Sequence, residues 1–183
     1  MYCTLWRHAE NGGAGMPEQN KKLKIARVVM LCVTLAIMAA IFLFSAQPGE
    51  GSYALSQQVT EKVESTAAHR LTPKWFSTQN ANANIRKWAH VYIYCALGVS
   101  TAITAHLFGS AGKTGGVKPL LKEALLSAVV CTAYAGTDEF HQLFIPDRAG
   151  MIQDVGVDAL GFLPCIAVTF FVIAWLRHRA ARA

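Results

Sequence analysis

Four long apolar runs, separated by polar segments, set the layout of the chain. The first, Val28 to Ala46, holds no charged residue and ends at Pro48-Gly49. The second runs from Ile85 to Phe108, the third from about Leu120 to Phe144, and the fourth from near Gln153 to Leu176. Each has about the 20 residues needed to cross the hydrocarbon core of a bilayer. Between the first two runs, residues 50–86 are polar. There Leu55, Val59 and Val63 fall at i, i+4 and i+8. That spacing predicts a short amphipathic helix, lying at the interface or packed over the bundle mouth. Pro73 breaks it, and Asn80, Asn82 and Asn84 each suit the N-cap of the next helix. The expected fold is therefore all-α: a polytopic membrane protein with four transmembrane helices and a short interfacial helix between the first and second.

Composition agrees with this pattern. Of 183 residues, 53% are hydrophobic and only 15% charged, and the mean hydropathy is +0.30. Soluble domains are nearer one quarter charged. The net charge of +6 reads as loop charge of a membrane protein, not as a nucleic-acid surface, because no basic face is interleaved with aromatics. Cys3, Cys32, Cys95, Cys131 and Cys165 form no CxxC or Cys/His spacing. They read as small packing residues, without disulfide or metal roles.

The charges also predict an orientation. Arg7, Lys21, Lys22, Lys24 and Arg27 precede the first span, Lys113, Lys118 and Lys122 lie in or beside the loop between spans two and three, and Arg177, Arg179 and Arg182 form the tail. These eleven share the side of the termini. The other side holds Lys62, Arg70, Lys74, Arg86, Lys87 and Arg148 over longer loops. Positive charge accumulates inside, so both termini are expected in the cytoplasm. The chain then divides into a basic N-terminal lead (1–27, read as disordered near Gly12, Gly13 and Gly15), a membrane domain (28–176) and a basic tail (177–183). Met16, just ahead of the basic cluster, stands as an alternative start.

With this topology, costly polar residues far apart in sequence gather at the outer ends of the spans. Lys87 and His90 begin span two. Asp138, Glu139, His141 and Gln142 end span three. Arg148 follows in the outer loop, and Asp154 and Asp158 begin span four. Ionisable groups in spans mark sites by default. The expected ligand-binding set is Lys87, His90, Asp138, Glu139, Gln142, Arg148, Asp154 and Asp158. Asp138 and Glu139 diverge by about 100° on an ideal helix. No comparable set is expected at the cytoplasmic end, where His106 and His178 read as isolated, and Trp75, Trp88 and Trp175 read as interface anchors.

These residues lie in motifs that resemble the VanZ-like family of bacterial membrane proteins. The matching pieces are Phe44-Ser45-Ala46-Gln47-Pro48-Gly49, Arg86-Lys87-Trp88-Ala89-His90-Val91-Tyr92-Ile93-Tyr94, and Thr137-Asp138-Glu139-Phe140-His141-Gln142-Leu143-Phe144-Ile145-Pro146-Asp147-Arg148, followed by Asp154 and Gly161. Two positions depart from the family pattern: Asp158 replaces a common asparagine, and Ile93 replaces an acidic residue. The resemblance implies a place in the bacterial inner membrane and a theme of resistance to teicoplanin, but no reaction.

Three readings of the polar cluster follow. Cations over carboxylates suit recognition of an anionic lipid or a lipid-linked cell-wall precursor through charge-assisted hydrogen bonds. The same residue types suit an intramembrane enzyme using metal or acid/base chemistry. No HExxH, nucleophile elbow or phosphate loop is present, so no metal or cofactor is expected. The third reading is a purely structural network of mutually neutralising charges.

Overall fold

The computed structural model describes residues 16–109, 117–148 and 150–182. Five α-helices follow one another: α1 (Met16–Ser45), α2 (Gly49–Glu64), α3 (Ala81–Phe108), α4 (Val117–Gln142) and α5 (Ile152–Arg182). A 3₁₀ turn, Ala67–Leu71, lies between α2 and α3. Among the described residues there is no strand. Helices α1, α3, α4 and α5 are the four long and apolar enough to cross a membrane, and α2 is the short helix expected between the first two.

The outward surface is that of a protein dissolved in lipid. Leu35, Leu43, Leu126, Val129, Val168 and Phe171 are all exposed. The interior is narrower and built on Tyr94, Leu97, Cys131, Ala135, Phe162 and Ile166. Lipid tails are as apolar as leucine, so helices in a membrane associate through close packing of small residues rather than hydrophobic burial. The most extensive contact, between α3 and α5, shows this. A Cβ on Gly161 would stand 2.3 Å from the carbonyl oxygen of Val91, and one on Gly98 would stand 2.8 Å from that of Phe162. The two backbones meet because neither glycine has a side chain.

This close approach corrects the reading of the cysteines. Cys95 and Cys165 lie on the same two helices beside those contacts, with Cα atoms 5.5 Å apart, and form a disulfide. Sequence spacing cannot show a pairing across 70 residues that only the α3–α5 crossing creates. Cys32 and Cys131 are free; Cys3 lies outside the described residues. In denatured, unreduced protein, alkylation followed by peptide mapping should modify Cys32 and Cys131 at once. Cys95 and Cys165 should react only after reductant is added; their labelling without it would contradict the crossing.

Helix α1 is held mainly by side-chain clasps. Thr34 Oγ1 lies 3.1 Å from Thr104 Oγ1, Arg27 Nε donates to the Leu107 carbonyl at 2.9 Å, and the Tyr134 hydroxyl donates to the Met38 carbonyl. Helix α1 spans Met16–Ser45, so the basic residues Lys21 to Arg27 are helical. The proposed lead up to Gly15 lies outside the described residues. At the other end, the basic residues Arg177 to Arg182 continue α5.

The segment from α2 to α3 forms a cover over one end of the bundle. Helix α2 turns Ser56 and Thr60 inward, where both are buried, and leaves Tyr53, Leu55 and Val59 exposed. The three asparagines divide the work of holding it. Asn80 accepts from the Ala83 amide at 3.0 Å and caps α3. Asn82 donates to the Tyr53 carbonyl of α2. Asn84 donates to the Thr72 carbonyl and accepts from the Phe76 amide. Trp88 is not an interface anchor: it is buried, packs against Trp75, Phe76 and Tyr92, and donates from Nε1 to the Pro73 carbonyl at 2.8 Å. Trp75 does remain exposed.

Candidate functional site

A cavity of about 250 Å³ lies between α3, the end of α4, the α4–α5 loop and the start of α5. Helical periodicity supplies its walls. Arg86, Lys87 and His90 occupy adjoining positions on α3, and Asp154 and Asp158 are one turn apart on α5. Lys87 Nζ lies 3.1 Å from Asp154 Oδ1, close enough for charge pairing though not aligned as a hydrogen bond. One turn deeper, His90 Nδ1 lies 3.1 Å from Oδ1 of Asp158, a fully buried carboxylate. The two contacts stack as successive rungs between α3 and α5. The glycine contacts below them hold the helices close enough for this.

Helix α4 contributes a third wall. Gln142 Nε2 lies 3.3 Å from Asp138 Oδ2 and 3.2 Å from Glu139 Oε1. One amide thus gathers two carboxylates whose Cβ directions diverge, and the 100° between them does not keep them apart. Glu139 also accepts from the Met151 amide at 2.9 Å. That bond forms because Gly150 lets the returning loop lie on the end of α4: a Cβ there would stand 2.1 Å from the Glu139 carbonyl oxygen. Asp147 makes the turn with φ 58°, a left-handed conformation that aspartate tolerates better than most residues.

Arg148 closes the site against α1. Its Nε donates to the Gln47 carbonyl (3.2 Å), Nη2 to the Phe44 carbonyl (3.2 Å) and Nη1 to Gln142 Oε1 (3.4 Å). The Phe44 carbonyl is among those left open at the C-terminus of α1, where a cation is favoured, and Gln47 lies in the link just beyond it. Burial and the neighbouring charge of Arg86 push the Arg148 guanidinium below its ordinary value, while Asp138 and Glu139 pull it upward. It remains a cation, as arginine does in proteins.

Seven of the eight expected residues line the cavity: Lys87, His90, Glu139, Gln142, Arg148, Asp154 and Asp158. Asp138 sits behind Gln142. His141 turns away and packs on Phe42, with ring centroids 4.4 Å apart. Arg86, Asp147 and Met151 line the cavity too without having been expected. The i, i+4 relation of Arg86 to His90 was the available signal for the first of these. Among the described residues, no three His, Cys, Asp or Glu side chains converge as a metal-ligating set.

The VanZ/LLP1 family model matches residues 30–175, which takes in all four spans and every residue of the cavity. The chain belongs to the VanZ/LLP1 family. No curated protein and no solved structure matches it. In this VanZ/LLP1 protein the cavity lies where the family-like motifs of α3, α4 and the α4–α5 loop meet. At the opposite end of the bundle lies a second, smaller polar knot. His106 Nδ1 lies 2.8 Å from Oε2 of the buried Glu123, and Arg177 Nη2 lies 3.4 Å from His106 Nε2. This corrects the expectation that His106 stands alone there. Seventeen residues separate His106 from Glu123, across a loop whose geometry the sequence does not specify.

Proposed function

We propose that this VanZ/LLP1 protein resides in a bacterial inner membrane with both termini cytoplasmic and its cavity facing outward. There it binds the headgroup of an envelope lipid or lipid-linked cell-wall precursor. The observation that carries this reading is the cavity itself: a polar recess at one end of a lipid-soluble bundle, with cations and buried carboxylates on one wall system. Polar groups at membrane depth are retained where they have a task. The theme of teicoplanin resistance in VanZ-like proteins fits a role in screening or altering an envelope target.

Native mass spectrometry after gentle detergent extraction tests the reading. Wild-type protein is expected to retain a phosphate-bearing lipid that Arg86→Ala loses while its thermal stability changes little, since Arg86 lines the cavity and has no partner of its own among the described residues. Equal loss of stability and lipid would instead assign the cluster to pairing between helices. Orientation is tested by Gln79→Cys on a Cys3→Ser, Cys32→Ser background. A membrane-impermeant maleimide should label it from outside whole spheroplasts, and labelling only after lysis would reverse the topology.

A further inference from the structure

Resting on that reading, we infer that the ligand is zwitterionic: a phosphate carrying a primary amine on a short spacer, with the ammonium seated deep against Asp158 and the phosphate shallow between Arg86 and Arg148. Some of the charged groups around the cavity are already engaged. Lys87 faces Asp154, and His90 faces Asp158. Arg86 has no hydrogen-bond or ion-pair partner among the described residues, yet it lines the cavity and its charge acts on Arg148. Like charges held close together are unfavourable unless an anion lies between them. Arg148 uses three of the five N–H donors of a guanidinium, so donors remain for phosphate oxygens, the partner whose geometry arginine fits best.

The floor has the opposite deficit. Asp158 is 0% exposed, lines the cavity, and its Oδ2 has no partner. An ammonium has three donors and no acceptor. The unpaired carboxylate oxygen of Asp158, buried and at the cavity wall, is its complement. Native structures seldom leave such atoms empty-handed. A wholly anionic headgroup has nothing to offer them and is repelled by the carboxylates.

The vertical spacing agrees. Arg86 and His90 are four residues apart on α3, about 6 Å of helical rise, and Asp158 is level with His90. A two-carbon spacer between phosphate and ammonium spans such a step. The ethanolamine headgroup of a phospholipid and free phosphoethanolamine share this chemistry.

The test uses the full-length purified protein titrated with dihexanoyl phosphatidylethanolamine, phosphatidylcholine and phosphatidylglycerol by native mass spectrometry. Phosphatidylethanolamine is expected to bind about tenfold more tightly than either other lipid, since phosphatidylcholine has no N–H donor and phosphatidylglycerol no cation. Asp158→Asn should erase the preference, weakening phosphatidylethanolamine binding and, with the repelling charge gone, strengthening that of phosphatidylglycerol; retention of the Cys95–Cys165 disulfide in that variant certifies its fold. Arg86→Ala should weaken all three alike. O-phosphoethanolamine competing as well as the short-chain lipid would identify a soluble ligand of the same chemistry, and failure to compete would identify the lipid. A preference for phosphatidylglycerol, or equal binding of all three that Asp158→Asn does not alter, would overturn the zwitterion and leave the cavity as a lipid site. If no lipid bound, or binding ignored Arg86→Ala, Lys87→Ala and Asp158→Asn alike, the cavity would not be the binding site and both conclusions would fall.

Discussion

Gly161→Ala is expected to destabilise the bundle by about 3 kcal/mol, the upper part of the range for overpacking a filled interface. The added methyl would stand 2.3 Å from the Val91 carbonyl oxygen and 3.1 Å from the Cys95 amide nitrogen. Both are backbone atoms, so no rotamer change relieves the contact. The helices must part, and parting them also pulls His90 from Asp158 and Lys87 from Asp154. Gly156→Ala is the control, since a Cβ there meets nothing within 4 Å. On the same helix it should be neutral or stabilising by about 0.5–1 kcal/mol through helix propensity. Thermal unfolding in detergent measures both. Equal effects of the two substitutions would mean that α3 and α5 do not cross at Gly161.

The second large effect is expected from Arg148→Ala, at about 3 kcal/mol. This substitution removes the fork that ties the end of α1 to Gln142, and it leaves Asp138 and Glu139 without the cation that faces them. Arg148→Lys keeps the charge but not the fork. One ammonium cannot satisfy two helix-terminal carbonyls and an amide in a planar arrangement, so about half of the loss should persist. Limited proteolysis in the Gln47–Pro48 region provides a second readout, with cleavage faster in Arg148→Ala than in Arg148→Lys. Wild-type resistance in both variants would show that α1 is held by other contacts.

Much of this architecture was legible in the residues. Span number, the short helix after the first span, and the gathering of Lys87, His90, Glu139, Gln142, Arg148, Asp154 and Asp158 all follow from hydropathy and helical period. Those patterns are local and repeat every few residues. What escaped them depends on tertiary geometry. The Cys95–Cys165 bond requires knowing that two glycines bring their helices into backbone contact. The joining of Asp138 with Glu139 requires a third side chain, Gln142, that reaches both. Trp88 resembles an interfacial aromatic in sequence and becomes a buried donor only because Pro73 folds back over it. The His106–Glu123 contact spans a loop with no hydropathy signature. In each case the missing information was which helix stands beside which.

The pairing of α3 with α5 has a consequence for how the protein is made. Chains are synthesised from the N-terminus, so α3 enters the bilayer well before its main neighbour exists, and Cys95 must wait 70 residues for Cys165. Through that interval Lys87 and His90 lack Asp154 and Asp158, and Gly98 lacks the Phe162 backbone it packs against. Helix α5 therefore completes both the fold and the site when it emerges, and a polypeptide cut short after the α4–α5 loop would be inserted yet never assembled.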